Sequence, residues 1–600
     1  MKAGASAPFF MGTGMLENLP MSSSATAYPS IMRNTLLMAC ITLPWLNPFT
    51  ASPSTAVMPL LLSWMCVACL ALLVLDMPLL QQTMSRSTIL PMLALACWVV
   101  SALLRVPAVV DHALTLGLLA ALVSMGLMVR VGLHVAWLGN DLMRWVAQAL
   151  LLAAVISSVL AVLQYLGFAR ELSPWVNQPV PGDAFANLRQ RNQFASLTSI
   201  GLVTCLALLA ARVQQGPMPS RDMVGYGLVL NVLAVGVACS VSRTGAVQWL
   251  VVGGLAALWA WREGRLSKRY RNPLLWMALA APALVVLWSV CMPWIAAQMN
   301  GHNGASMILR VTGQAQDYGV CGRRSVLWSN MLQLIAQHPW QGWGWGETDY
   351  AHFMSGYSGM RFCDMLDNAH NLPLHLAVEF GLPLALVLLA ALVWWVWQRQ
   401  PWREQDTWRS MAWGLLLVIG LHSLVEYPLW YGPFQMTFGL ALGLLWCRSP
   451  KQTQPASYPL TPSDMHPDTH TPSQVSQAWG ITLAGALFLA CLYAAWDFNR
   501  VAQIYRAPAQ RDAIYQDDPM AHAKASWLFR NQAEFAELTT QTVTADNAQH
   551  LFMLASRVMH YSPEDRVIQR LIDSATLLGQ DELAQTLAER LKDAHHHVQP

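Results

Sequence analysis

Asp364–Gln398 reads DMLDNAHNLPLHLAVEFGLPLALVLLAALVWWVWQ. From Leu372 onward the run is apolar for long enough to cross a bilayer, which takes about 20 helical residues. Yet it begins with Asp364, Asp367, His370 and Asn371, has Pro373 where a helix's first turn accepts proline, and carries Glu379 soon after. Gly381 and Pro383 then allow the helix to bend. Ionisable groups beside lipid are unfavourable unless paired or hydrated, so this polar helix start is a candidate site for chemistry at a membrane surface.

The 600 residues are 55% hydrophobic and 12% charged, with 27 tryptophans. A soluble domain carries about 25% charged residues, so the composition describes an all-α, polytopic membrane protein. A net charge of +3 is too small to suggest nucleic acid as a partner, and the basic residues lie in short loops instead of one patch. Residues 1–30 lack the early apolar core of a secretory signal and are expected to be a retained, flexible cytoplasmic segment.

Apolar runs near 32–48, 57–75, 88–104, 112–129, 146–168, 194–211, 223–239, 245–261, 274–293, 372–398, 410–427, 430–447 and 478–496 predict about thirteen spans, with twelve to fourteen allowed. Nine therefore fall in 31–293, three in 372–447 and one in 478–496. Arg262, Arg265, Lys268, Arg269 and Arg271 after the eighth span, and Arg399, Arg403 and Arg409 after the tenth, mark cytoplasmic loops. The parity then puts the 294–371 loop and a helical tail, 497–600, on the outer face, and the Pro- and Ser-rich linker 448–477 inside. Cys321 and Cys363 share that outer loop, where an oxidising compartment permits a disulfide.

Polar clusters far apart in sequence meet this outer face: RQRNQFA (189–195), SVSRTG (240–245), GRRSVLW (322–328), DNAHN (367–371) and HSLVEYP (422–428). A shared site is the simplest account. Arg191 and Asn192 also suit interfacial anchoring, whereas Arg243 lies between two apolar helices and calls for a partner. The forks of Arg323 and Arg324 suit phosphate oxygens. His370 has an imidazole that transfers protons near neutral pH, with Asp364 or Asp367 as candidate orienting carboxylates. His375 and Glu379, like His422 and Glu426, sit one helical turn apart and suit hydrogen-bonded pairs. His370 and His375 are about 140° apart on a helix, the wrong spacing for a metal pair, so no metal site is expected. Phosphate-binding glycine loops and nucleophile elbows are absent from the sequence.

SRTG opening a span, Arg324 with Trp328, the PWQGWGWG turn and His370 with Gly381 after ten intervening residues resemble the O-antigen ligase and polymerase superfamily. RQRNQFA, DNAHNLPLHLAVEFGLP and HSLVEYPLWYGPF, with the helical tail, look most like its PglL-type bacterial protein O-oligosaccharyltransferases. The resemblance implies a GT-C-like enzyme of the bacterial inner membrane with its active site facing the periplasm. It implies en bloc transfer of a glycan from undecaprenyl diphosphate to Ser or Thr hydroxyls of a pilin-like or other periplasmic protein, without nucleotide, metal or other cofactor. His370 is then the expected base, Arg243, Arg324 and Arg191 the diphosphate ligands, and Asp364, Asp367, Asn371, Glu379, Gly381 and Glu426 supporting residues. Val247 stands where ligases have Leu after the first arginine, a change of packing and not of charge. Transfer to lipid A core, or glycan polymerisation, would use the same donor. A transporter or flippase would instead want midplane ionisable groups and internal repeats, and the sequence offers neither.

Overall fold

The computed structural model describes residues 24–75, 112–266, 272–300, 304–306, 320–363, 366–447 and 474–596. Every regular element among them is helical. The membrane part comprises α1 (Ser24–Leu46), α2 (Val57–Leu75), α3 (His112–Leu138), α4 (Asn140–Tyr165), α5 (Arg191–Val213), α6 (Ser220–Cys239), α7 (Arg243–Leu266) and α8 (Asn272–Asn300). A long loop follows, with α9 (Arg324–Gln337) and α10 (Thr348–Met354), then α11 (Leu372–Phe380), α12 (Leu382–Arg399), α13 (Thr407–Ser423), α14 (Gly432–Trp446) and α15 (Gln474–Ala502). The tail forms α16 (Pro519–Lys524), α17 (Arg530–Thr540), α18 (Ala548–Val558), α19 (Asp565–Leu577) and α20 (Asp581–His596).

Nine of the described helices are long and apolar enough to cross a membrane. The apolar part of α1, together with α13 and α14, is shorter, at Ile31–Leu46 and at 17 and 15 residues. The expected span at 88–104, residues 1–23 and most of the linker, 448–473, lie outside the described residues. The chain is thus a polytopic all-α membrane protein, and helices occupy the remaining twelve expected spans.

Helix α5 is the axis of the bundle. It is buried almost throughout, because Ala195, Ser196, Ser199 and Gly201 let α4, α6, α7 and α13 pack around it. Similar small-residue logic joins α3 to α14: a Cβ on Gly443 would collide with the Val129 carbonyl.

The tenth expected span, 372–398, is not one helix. It breaks at Gly381, whose φ of +85° and 2.5 Å Cβ approach to the Trp340 carbonyl oxygen exclude a side chain. The glycine-rich turn enters the break. Trp343 N–H and Gly344 N–H donate to the Val378 and Glu379 carbonyls at 2.8 and 3.0 Å, and Leu382 N–H donates to Pro339 at 2.8 Å. Carbonyls orphaned at the end of α11 are therefore satisfied by the loop. The Glu379 carboxylate adds to this clamp by accepting from Gly346 N–H (3.1 Å) and the Thr348 hydroxyl (3.0 Å).

Helix α9 packs on α11 through Leu327, Met331, Leu334 and Val378. A Cys321–Cys363 disulfide, with Cα atoms 5.4 Å apart, ties the start of α9 to the strand of chain that leads into His370. The tail folds as antiparallel hairpins whose apolar stripes, such as Leu551, Leu554 and Val558 against Val567 and Leu571, take in Phe353 of α10. His560 stacks on Tyr350 at 4.0 Å and its Nδ1 lies 2.7 Å from Glu347, so the tail docks onto the loop that positions α11.

Candidate active site

Three chain segments converge on the carboxylate of Glu426, which is buried beyond the end of α13, and a fourth joins through one of them. One oxygen, Oε2, is 2.6 Å from His370 Nδ1. The other, Oε1, accepts from the Arg324 guanidinium at 2.5 Å and from Asn192 Nδ2 at 3.0 Å. Asn192 Oδ1 in turn accepts from the Ser242 hydroxyl at 2.6 Å, and Ser242 Oγ caps α7 by accepting from Gly245 N–H at 3.2 Å. A continuous hydrogen-bonded path thus joins the starts of α5, α7, α9 and α11.

Local sequence explains how each group arrives. His370 has φ +47°, a left-handed conformation costing about 1–3 kcal/mol in a non-glycine residue; its N–H is held by Asn368 Oδ1 at 2.8 Å. Asn371 caps α11 by accepting from Leu374 N–H, and its own amide donates to the Leu424 carbonyl at 3.0 Å. That second bond fixes α11 to the turn carrying Glu426. Tyr427 presents its ring to the His370 edge, with centroids 5.0 Å apart. Val241, next to Ser242, has φ +51°, so backbone strain gathers on both sides of the site.

The electrostatics follow from these contacts. Burial raises the Glu426 pKa, but the His370 hydrogen bond and the nearby His370 and Arg324 charges outweigh it and hold the carboxyl below the ordinary carboxylate range. An ionised carboxylate only accepts, so neutral His370 is assigned the tautomer with its proton on Nδ1. Its Nε2 then carries the lone pair, with no partner among the described residues, on a ring that remains 29% exposed. This arrangement is suited to taking a proton from a bound hydroxyl.

Other expected site residues fall around this centre. Arg243 is exposed at the first position of α7, one residue from Ser242. Arg191 is half-buried and pairs with Asp183 at 3.0 Å. Arg323 precedes α9 without capping it through its side chain. Asp364 lies outside the described residues and Asp367 is exposed; the carboxylate contacting His370 is Glu426, not the neighbour expected from sequence. The Glu379 carboxylate belongs to the loop clamp, 3.5 Å from buried His375. His422 does not pair with Glu426 through its side chain. It turns into the bundle, 3.0 Å from Ser196, which bonds Gln248.

Asn192 and Ser242 are contributors that the sequence reading undervalued. Each adjoins an arginine that drew the functional expectation. The available signal was position: both lie at or beside the polar starts of apolar spans.

Comparison with known families falls on these same segments. Residues 228–389 match the family described as O-Antigen ligase, 410–599 match Virulence factor membrane-bound polymerase, C-terminal, and 184–209 match Protein glycosylation ligase. The General O-oligosaccharyltransferase of Acinetobacter baylyi is 27% identical over 305 residues, covering 50% of each chain. The alignment therefore spans about half the length of that relative. Arg243, Arg324 and His370 lie in the first match, Glu426 in the second and Asn192 in the third, and the resemblance to the O-antigen ligase superfamily, and within it to the PglL-type O-oligosaccharyltransferases, is borne out.

Proposed function

We propose that the chain is a glycosyltransferase that moves a preassembled oligosaccharide from undecaprenyl diphosphate to a Ser or Thr hydroxyl of a periplasmic protein, pilin-like acceptors included. Its site would face the periplasm from a bacterial inner membrane, the orientation favoured by the basic loops at the opposite helix ends. The observation carrying this reading is the 2.6 Å contact of His370 Nδ1 with Glu426, which leaves Nε2 open.

His370 Nε2 takes the acceptor hydroxyl proton while the oxygen bonds to the anomeric carbon. The bond from that carbon to the diphosphate oxygen breaks, and its electron pair leaves with the polyprenyl diphosphate. Arg243 and Arg324 offset the charge growing on that leaving group, with Arg191 alongside. One in-line displacement inverts the anomeric centre, and the proton then passes from His370 to water. No cofactor takes part.

The protein acceptor is supported by the glycosylation-ligase match, which includes Asn192, and by the name of the Acinetobacter relative. The test is acceptor choice in bacteria that make a lipid-linked glycan but lack their own ligase. Co-expression with a pilin-like protein should put glycan on that protein. Glycan on lipid A core would replace this reading with O-antigen ligation.

A further inference from the structure

A cavity of about 260 Å³ lies between α5, α7 and α13, well away from Glu426. Its walls include Leu206 and Ala207 of α5, Val252 and Leu255 of α7, and Leu417 of α13. Ala207 is fifteen residues from Asn192, about 22 Å along a helix, so the cavity occupies the opposite membrane half from His370.

Its deep part is apolar and its end is polar, with Arg262, Arg403, Thr407 and Ser410. The segment 401–403 is held over that end: Trp259 Nε1 donates to the Pro401 carbonyl at 3.0 Å, and Arg262 donates to the Trp402 carbonyl at 2.5 Å. Glu404 also lines the cavity, but Arg409 binds its carboxylate at 3.0 Å. Arg403 is exposed, with no hydrogen bond or ion pair of its side chain among the described residues. A guanidinium has five N–H groups, and the Trp402 contact uses one from Arg262.

We propose that this cavity binds an anionic phospholipid of the cytoplasmic leaflet, with one acyl chain between α5, α7 and α13 and the phosphate between Arg262 and Arg403. Charge and shape both select this occupant. Two arginines exceed the one, already neutralised, carboxylate at the mouth, and an apolar channel behind a cationic mouth fits a lipid better than a free anion. Basic pockets between membrane helices on the cytoplasmic side take anionic headgroups for this reason. The site is separate from the proposed glycan transfer and stands without it.

The test uses the full chain in nanodiscs of phosphatidylcholine doped with phosphatidylglycerol, with retained lipid counted by native mass spectrometry. Wild type should retain phosphatidylglycerol in preference to phosphatidylcholine. Arg403→Gln should weaken that preference about fivefold, and adding Arg262→Gln should weaken it about fivefold again. Ala210→Phe, which narrows the cavity from its α5 wall, should abolish retention while the protein still inserts. Equal retention of both lipids, or retention unchanged in Arg403→Gln and Ala210→Phe, overturns the proposal. Displacement of the phospholipid by millimolar inorganic phosphate would overturn it too, leaving a simple anion site.

Discussion

Replacing Glu426 by Gln keeps the side chain's shape but removes its charge, and so separates an orienting role from a packing one. In the wild type the carboxylate accepts from His370, Arg324 and Asn192 at once. The amide retains one acceptor oxygen, so either Arg324 or His370 must meet an NH₂ group. Arg324 is 40% exposed and can turn to water, which limits the stability loss to about 1 kcal/mol. The catalytic loss should be far larger. His370 would be freed to place its proton on Nε2, and general-base help is worth about 10² to 10⁴ in rate, or about 2.7–5.4 kcal/mol. Purified enzyme with a lipid-linked donor and acceptor peptide should therefore lose about 10² to 10⁴ in turnover while its melting temperature barely moves. Combined with His370→Ala, Glu426→Gln should add nothing further, because the two act as a unit. Turnover within threefold of wild type would refute the orienting role.

Gly381→Ala forces a Cβ onto the Trp340 carbonyl at positive φ and should destabilise the loop by about 2 kcal/mol or more, read as a lower melting temperature with reduced activity. Cys321→Ser opens a bridge spanning 42 residues; chain entropy assigns it about 4 kcal/mol, so the bridged loop should become sensitive to protease in the variant or under reductant. Buried His352 is bonded by Tyr357 at 2.7 Å, and burial, helped by the Arg361 charge, pushes its pKa from 6.5 down to about 3. The unfolded loop takes up this proton below about pH 6.5 and the folded loop does not, so stability is complete above pH 6.5 and is lost as pH falls toward 3. Melting temperature against pH should flatten over that window in His352→Gln.

Much of this architecture was legible in local sequence. Apolar run length places the spans, Gly381 and Pro383 announce a bend though not the full break, and Asn371 with Pro373 announces the start of α11. Partnership across the bundle was not. Asp364 and Asp367 are near His370 in sequence, yet the left-handed turn at His370 directs its ring to Glu426, 56 residues away. Asn192 was legible as part of a polar helix start but not as the link between Glu426 and Ser242, because that role depends on α5 and α7 being packed side by side. His422 misled in the opposite sense. Its one-turn spacing from Glu426 suggested a pair, but the helix ends at Ser423 and the ring follows the bundle interior instead.

The central claim is that His370 Nε2 removes the acceptor proton. Its most direct measurement is single-turnover transfer from a polyprenyl-diphosphate glycan to an acceptor peptide by nanodisc-reconstituted wild type and His370→Ala. The account predicts equal donor binding in the two proteins and a transfer rate at least about 10²-fold lower in the variant. Transfer by His370→Ala at a rate within a few-fold of wild type would contradict it.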